Sequence, residues 1–215
     1  MNAYESVLKR IEAAAADLSR PVTLVAVSKT QSADAIEALY RLGQRDFGEN
    51  YVQELLEKSG ELAKRGCADI RWHMIGHLQT NKVKALLNVV SCIHTVDSEK
   101  LATEIAKRAR TPVPVFIEVN VGGEESKSGV SPEAAPGLAQ KIAKMPELVL
   151  QGLMTVPAPG KSADTFRELA ELEKSSRPHT RGFLSMGMSG DFEDAIRAGA
   201  THVRVGTALF GPRNA

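Results

Sequence analysis

Three groups of residues in this chain sit where a backbone turns and could do chemistry there. The stretch "TLVAVSKTQS", residues 23 to 32, runs a buried-strand pattern from Thr23 to Ser28 straight into Lys29. Side chains alternate faces along a strand, so Val25, Val27 and Lys29 share one face. If the two valines point into a sheet or barrel core, Lys29 points into its end. Partial desolvation there lowers a lysine's pKa and frees a neutral amine that can attack a carbonyl. The plainer account is a lysine whose stem snorkels to water. The second group lies in "SMGMSGD" and "VGTALFG", each following a strand pattern. Gly187, Gly190 and Gly206 let backbone N–H groups approach an anion, and Ser185, Ser189 and Thr207 add hydroxyls, as a phosphate requires. Alternatively, the glycines make turns and Ser189 caps a helix. The third is Arg204, between Val203 and Val205 inside an apolar strand. A buried guanidinium needs a partner, either a carboxylate such as Glu118 or an acceptor atom of a ligand.

Other candidates carry less. His73 and His77 are four residues apart, a metal-ligand spacing on a helix. However, "WHMIGHLQ" reads as strand then loop, and there is no HExxH motif or cysteine cluster, so no metal is expected. Asn50, in "FGEN", suits the cap of a helix beginning "YVQELLEK", with Gln53 completing the cap; a cap position can still face a ligand. Asp97 and Ser98 suit another helix start. Lys127 lies on the Gly-rich stretch "GGEESKSGV", either solvated or covering a site mouth.

These residues must be positioned by a framework, and the chain supplies one. After an amphipathic N-terminal helix (Tyr4, Val7, Leu8, Ile11, Ala15, Leu18) a strand–helix alternation continues to the end. Strand patterns cover 22–28, 44–48, 70–75, 89–95, 113–121, 148–154, 181–186 and 201–205. Helical patterns cover 32–42, 50–64, 79–88, 98–110, 131–144, 161–176 and 190–198, with a short one at 207–210. Eight such units favour a closed (β/α)8 barrel, of TIM type, over an open doubly wound sheet. No GxGxxG follows the first strand, which argues against a dinucleotide fold. With no linker or low-complexity segment, residues 1–215 read as one domain. Sites in such barrels form at the C-terminal strand ends, where Lys29, Asn50, Ser185 and Gly206 all fall. The net charge of +1 gives no sign of nucleic acid or an anionic membrane as partner. Two cysteines, Cys67 and Cys92, make no disulfide framework, and the N-terminus lacks an apolar signal core, so a reducing, cytoplasmic setting is expected.

An amine for a carbonyl, a cradle for a phosphate and a guanidinium for a ring acceptor together describe pyridoxal 5′-phosphate. The stretches "VAVSKTQ", "FGENYVQE", "WHMIGHLQTNK", "VDS", "VNVGGEESKSG", "GLMTV" and "LSMGMSGDFEDAIRAGATHVRVGTALFG" lie in order over about residues 22–211. In them the chain closely resembles the pyridoxal phosphate homeostasis proteins, whose barrel is similar to that of alanine racemase, and no motif departs from the family pattern. The resemblance implies a fold type III pyridoxal-phosphate barrel without the C-terminal β-domain. It implies that Lys29 forms a Schiff base with the cofactor and that Asn50 sits beside it. It places Ser185, Met186, Ser189, Gly206 and Thr207 in the phosphate region and Arg204 near the pyridine nitrogen. The function implied is a non-catalytic carrier that holds the cofactor and supplies or buffers it, with apo-forms of pyridoxal-phosphate enzymes as partners. The chain ends after the eighth strand pattern, leaving no room for the second domain that racemases use, and a monomer is expected. The alternatives are an amino-acid racemase, or an aldolase-type barrel acting on a sugar phosphate.

Overall fold

The structure is a computed structural model and describes residues 2–124 and 127–212. Its strands are β1 (Thr23–Val27), β2 (Asp46–Glu49), β3 (Arg71–Met74), β4 (Val90–Val96), β5 (Val113–Glu118), β6 (Leu148–Met154), β7 (Phe183–Ser185) and β8 (His202–Val205). Each pairs in parallel with the next, and β8 returns to β1 with Val25 opposite Arg204. The sheet is therefore a closed barrel with no exposed edge. The intervening helices are α2 (Ala33–Arg41), α3 (Val52–Lys64), α4 (Val83–Leu86), α5 (Glu99–Arg108), α6 (Ala135–Ile142), α7 (Ser162–Ser176) and α8 (Phe192–Arg197). Helix α1 (Ala3–Ala14) precedes the barrel and α9 (Thr207–Phe210) follows β8.

Local chemistry explains most boundaries. Asn2 and Glu5 form a reciprocal cap on α1, Ser32 caps α2 and Ser98 caps α5, each substituting for a missing intrahelical partner. Helix α1 buries Tyr4, Val7 and Ile11 and packs against α8 and α9. Leu8, read with the apolar stripe, is instead 39% exposed. The helix expected over 79–88 is split into a 3-10 turn, Thr80–Lys82, and α4, because the turn has no buried side chain to anchor it. Strand β5 stops at Glu118 rather than 121. The chain beyond it folds back, with Val130 N–H donating to the Glu118 carbonyl and Asn120 N–H to the Val130 carbonyl.

Strand alternation divides the barrel into two chemical zones. Outward residues, among them Leu24, Ala26, Phe47, Trp72, Ile93, Val115, Ile117, Val203 and Val205, join one apolar core with helix residues such as Ile36, Leu55, Phe166 and Phe192. Each fully buried Val, Leu, Ile or Phe side chain among them contributes roughly 1.5–3 kcal/mol by leaving water, so this outer layer carries most of the stability. The lumen is different. Val25 faces Gly48 and Ile75, and a β-carbon on Gly48 would lie 2.9 Å from each of those two side chains. Beside them stand His73, Cys92, His94, Phe116, His202 and Arg204, an unusually polar filling.

Candidate functional site

The site is built on how β1 ends. The strand stops at Val27; Ser28 is fully buried, and half-buried Lys29 sits in the turn that follows. Thr30 adopts φ 64°, a left-handed conformation that a β-branched residue resists. What holds it is underneath. The Thr30 N–H donates to Glu54 Oε1 at 2.6 Å. Lys58 Nζ, from α3, donates to Glu54 Oε1 at 2.6 Å, Glu49 Oε1 at 2.8 Å and the Ser28 carbonyl at 2.7 Å. The Ser28 hydroxyl donates to Glu49 Oε1 at 2.7 Å. A buried lysine thus ties the residues on both sides of Lys29 to β2 and α3. Burial pushes the Glu49 carboxyl up, more than the hydrogen bonds from Lys58 and Ser28 pull it down.

Arg204 stands on β8, the neighbour of β1, and is 4% exposed. Its Nη1 donates to Ser185 Oγ at 2.7 Å and its Nη2 to the Thr155 carbonyl at 2.8 Å. These are the partners that the sequence left open. Glu118 is close enough to act on Arg204 electrostatically, without a direct bond between them among the described residues. Burial lowers the guanidinium to about 10, with Glu118 and Asp191 opposing, so it stays charged at neutral pH. Burial, reinforced by the Asp97 charge and opposed by Arg204, pushes the Glu118 carboxyl up to about 7. One Glu118 oxygen is buried with no partner among the described residues.

The two Gly-rich loops follow β7 and β8, and they are joined. Ser189 Oγ accepts from Gly206 N–H at 3.2 Å and Ala208 N–H at 3.3 Å. Its own proton has no acceptor among the described residues. Ser185 is fully buried, and its hydroxyl meets Arg204 and, at 2.8 Å, His94 Nδ1. Met186 is fully buried among the helix-facing core, so its backbone is what it can offer a ligand. Thr207 is exposed at the start of α9. Because β7, β8 and β1 are consecutive around the barrel, these loops and Lys29 occupy one continuous third of its mouth.

Asn50 leads from β2 into the α3 turn and is half-buried. It is not the helix cap: Tyr51 holds that position, with no side-chain cap bond. Gln53 bonds Glu57 instead. Gly76 explains the difference, since a β-carbon there would lie 2.3 Å from the Asn50 carbonyl oxygen. The close approach of the β3 end locks the Asn50 backbone and leaves its side chain lining a cavity with Tyr51, His77, Gln79 and Lys82. His77 lies on the rim, 3.3 Å from Ser128 and 3.4 Å from Asp97. His73 lies inside the lumen, so the two do not meet as a metal pair. Lys127 pairs with Glu124 at 2.6 Å and donates to the Val156 carbonyl at 3.4 Å, which ties its loop to the β6 end. Its neighbours Glu125 and Ser126 lie outside the described residues.

Lys58, Glu49, Glu54, Thr155, His73, His94 and Asp46 belong to the site's supports and were not read from the sequence as such. Two signals were available. Glu54 and Lys58 have the i,i+4 spacing of a helical ion pair. Polar residues also recur at inward positions of four strands, His73 on β3, His94 on β4, Ser185 on β7 and Arg204 on β8, which an apolar barrel filling does not require.

Residues 4–214 match the family described as alanine racemase, N-terminal domain. A pyridoxal phosphate homeostasis protein of Pseudomonas aeruginosa is 43% identical over 94% of this chain and 90% of its own length. One from Aquifex aeolicus is 44% identical over 99% of both chains. Among solved structures, PipY of Synechococcus elongatus with PLP bound superposes with a TM-score of 0.83 at 31% identity, covering 94% of this chain and 99% of that one. An alanine racemase of Corynebacterium glutamicum, at 18% identity and a TM-score of 0.72, shares the fold over 99% of this chain and 62% of its own.

Proposed function

This chain belongs to the pyridoxal phosphate homeostasis protein family, and on that premise we propose that it binds pyridoxal 5′-phosphate through Lys29 and buffers or supplies it. The observation that carries the reading is the adjacency of three donor types on consecutive strands. The Lys29 amine is carried by the turn after β1, the Arg204 guanidinium rises from β8, and the Ser189–Gly206 junction ties together the loops after β7 and β8. An aldehyde, an acceptor nitrogen and a phosphate fit that set. When bound, this cofactor supplies an aldehyde for an amine and a ring able to accept electrons.

The chain's own residues then have distinct tasks. The Lys58 clamp holds the turn that presents Lys29. Ser189 keeps the two Gly-rich loops together and has a proton to donate. Arg204 is an obligate donor, so an acceptor nitrogen held by it stays unprotonated and the ring stays a weak electron sink. That supports a carrier rather than an enzyme built for carbanion chemistry, as does the name shared by relatives that match over 90–99% of their own length. Apo-forms of pyridoxal-phosphate enzymes are the partners of such a carrier. Two buried thiols without a disulfide suit a reducing cytoplasmic setting; no helix of the described residues is long and apolar enough to cross a membrane. We take the working unit to be a monomer.

The test is an absorbance spectrum of the purified protein with added pyridoxal 5′-phosphate. A band in the region of ~400–430 nm is expected, removed by borohydride, with the reduced mass on the peptide containing Lys29 and no band in Lys29→Ala. No band in the native protein, or label elsewhere, overturns the reading. Racemisation of L-alanine above the rate of free cofactor would favour the racemase instead.

A further inference from the structure

A line of hydrogen bonds runs through the barrel lumen from one end to the other. Arg204 Nη1 meets Ser185 Oγ at 2.7 Å; Ser185 Oγ meets His94 Nδ1 at 2.8 Å; His94 Nε2 meets His73 Nδ1 at 2.9 Å; and His73 Nε2 meets Asp46 Oδ1 at 2.9 Å. Arg71 closes the far end with two bonds to Asp46, at 2.8 and 2.5 Å. Asp46 begins β2 and Arg71 begins β3, so the line starts at the N-terminal end of the strands. Arg204 lies towards the C-terminal end, against the Thr155 carbonyl just beyond β6.

The direction of the line follows from donor counting. A guanidinium only donates. Ser185 Oγ therefore accepts from Arg204, and its own proton needs an acceptor. Among the described residues that acceptor is His94 Nδ1. An accepting Nδ1 puts the His94 proton on Nε2, so His73 Nδ1 must accept in turn. His73 then carries its proton on Nε2 and donates to Asp46. This counting puts the proton of each ring on Nε2, with every donor pointing from Arg204 towards Asp46. A reversed line would leave the proton of the fully buried Ser185 without an acceptor among the described residues, which costs about 1–3 kcal/mol.

The line also accounts for the cluster of His73, Cys92 and His94, whose donor atoms lie within 4.8 Å of one another. Each ring nitrogen of the two histidines already has a protein partner, so a metal would have to break the line to bind. His202, Phe116 and Cys92 pack around it without joining it.

We propose that Asp46, His73, His94 and Ser185 form a one-directional hydrogen-bond chain that fixes Arg204, making His73 and His94 positioning residues for the ligand held at the mouth. What Arg204 is positioned for rests on the function proposed above; the direction of the chain does not. The line joins a cation near the mouth, through a hydroxyl and two imidazoles, to a carboxylate at the barrel floor that Arg71 also pairs. Of the five guanidinium N–H bonds, two are fixed by Ser185 and the Thr155 carbonyl. That orientation dictates where the remaining three point.

Two measurements test this. The first needs no cofactor: nitrogen-15 spectra of histidine-labelled protein at pH 7. Neutral Nε2–H tautomers are expected for both His73 and His94, and an Nδ1–H tautomer or a charged ring at either overturns the chain. The second uses pyridoxal 5′-phosphate and follows its release into excess hydroxylamine. His73→Leu removes the acceptor for His94 and the donor to Asp46; the expected effect is about a tenfold faster release, the equivalent of one hydrogen bond. His73→Gln, whose amide oxygen can accept from His94, is expected to restore most of the wild-type rate, while Cys92→Ala leaves it unchanged. Release from His73→Leu at the wild-type rate, in protein shown to be folded by its melt, overturns the positioning role. If wild-type protein takes up no cofactor, the proposed function has failed and the tautomers still decide the chain.

Discussion

The buried lysine beneath the Lys29 turn offers the sharpest energetic test, because Lys58→Met removes a charge and leaves its partners in place. Lys58 is 8% exposed and its two carboxylate contacts are Glu49, fully buried, and Glu54, with 24% of its side chain exposed. Breaking a buried ion pair by removing one partner costs roughly 3–5 kcal/mol, since the surviving charge is stranded. Glu49 moderates that cost by taking up a proton, as burial already pushes its carboxyl up. We therefore expect a loss near the lower limit, about 3 kcal/mol, or some 6–12 °C in Tm for a chain of this size. The pH dependence has a definite sign. A carboxyl whose folded pKa is raised binds its proton more tightly in the native state, so stability falls as pH rises from the unfolded pKa to the folded one. Removing Lys58 raises the folded value further. The deficit of Lys58→Met should thus be smaller at pH 5 than at pH 8 in urea unfolding. Adding Glu49→Gln should recover at least about 1 kcal/mol, as expected for directly coupled sites. The turn should also loosen, slowing reaction of Lys29 with added pyridoxal 5′-phosphate. A variant within about 0.5 kcal/mol of wild type at both pH values would refute the view that this network holds the turn.

Two further outcomes follow from the mouth. Glu118, pushed up to about 7 mainly by burial, makes native stability fall as pH rises from 5 to 8; Glu118→Gln should flatten that slope in urea unfolding, and an unchanged slope would count against its burial. Gly76→Ala would set a β-carbon 2.3 Å from the Asn50 carbonyl oxygen. It should cost about 1–3 kcal/mol in a thermal melt, as overpacking does, and should weaken cofactor uptake by displacing Asn50; a melt like that of wild type would show that the β3 end does not hold Asn50.

The barrel was legible because its signals are periodic and local. Strand β6 matches its apolar pattern at both limits, Leu148 and Met154, since both ends are buried. Strand β5 was read three residues too long because Val119 and Val121 continue the alternation. What stops the strand is a long-range contact, the bridge from Val119 to Val130, which no local pattern encodes. The placement of Lys29 just beyond β1 and of Arg204 inside β8 was legible for a similar reason: a charge that continues the apolar face of a strand is conspicuous. Their supports were not. Glu49 and Lys58 look in sequence like a solvated acid and a solvated helix lysine. They are buried because α3 lays one face onto β2. Asn50 was taken for a cap because its residue type suits one; the backbone approach of Gly76, twenty-six positions away, moves the cap to Tyr51.

The division of labour between the two faces of the sheet explains how this fold tolerates a polar lumen. Burying charged and polar groups is costly unless each is paired, and a barrel that relied on its interior for stability could not afford Asp46, two neutral histidines and Arg204 there. Here the apolar core lies outside the strands, where Leu24, Phe47, Ile93, Val115, Ile117 and Val203 meet the helices. The lumen is released from that duty, provided its hydrogen bonds close. Asp46 shows that they do. Burial alone would push its carboxyl up, yet Arg71 and His73 hold it well below the usual carboxylate range, so the line ends on a true anion. The lower lumen is therefore saturated. Of the lumen residues, Glu118 keeps an unpartnered oxygen, and it stands at the end of β5, on the mouth side. Among the described residues the buried oxygens without a partner are on Glu118 and on Glu49, which ends β2 under α3; the one in the lumen is thus at the end where Lys29, Ser189 and Gly206 gather, which is where a ligand can meet it.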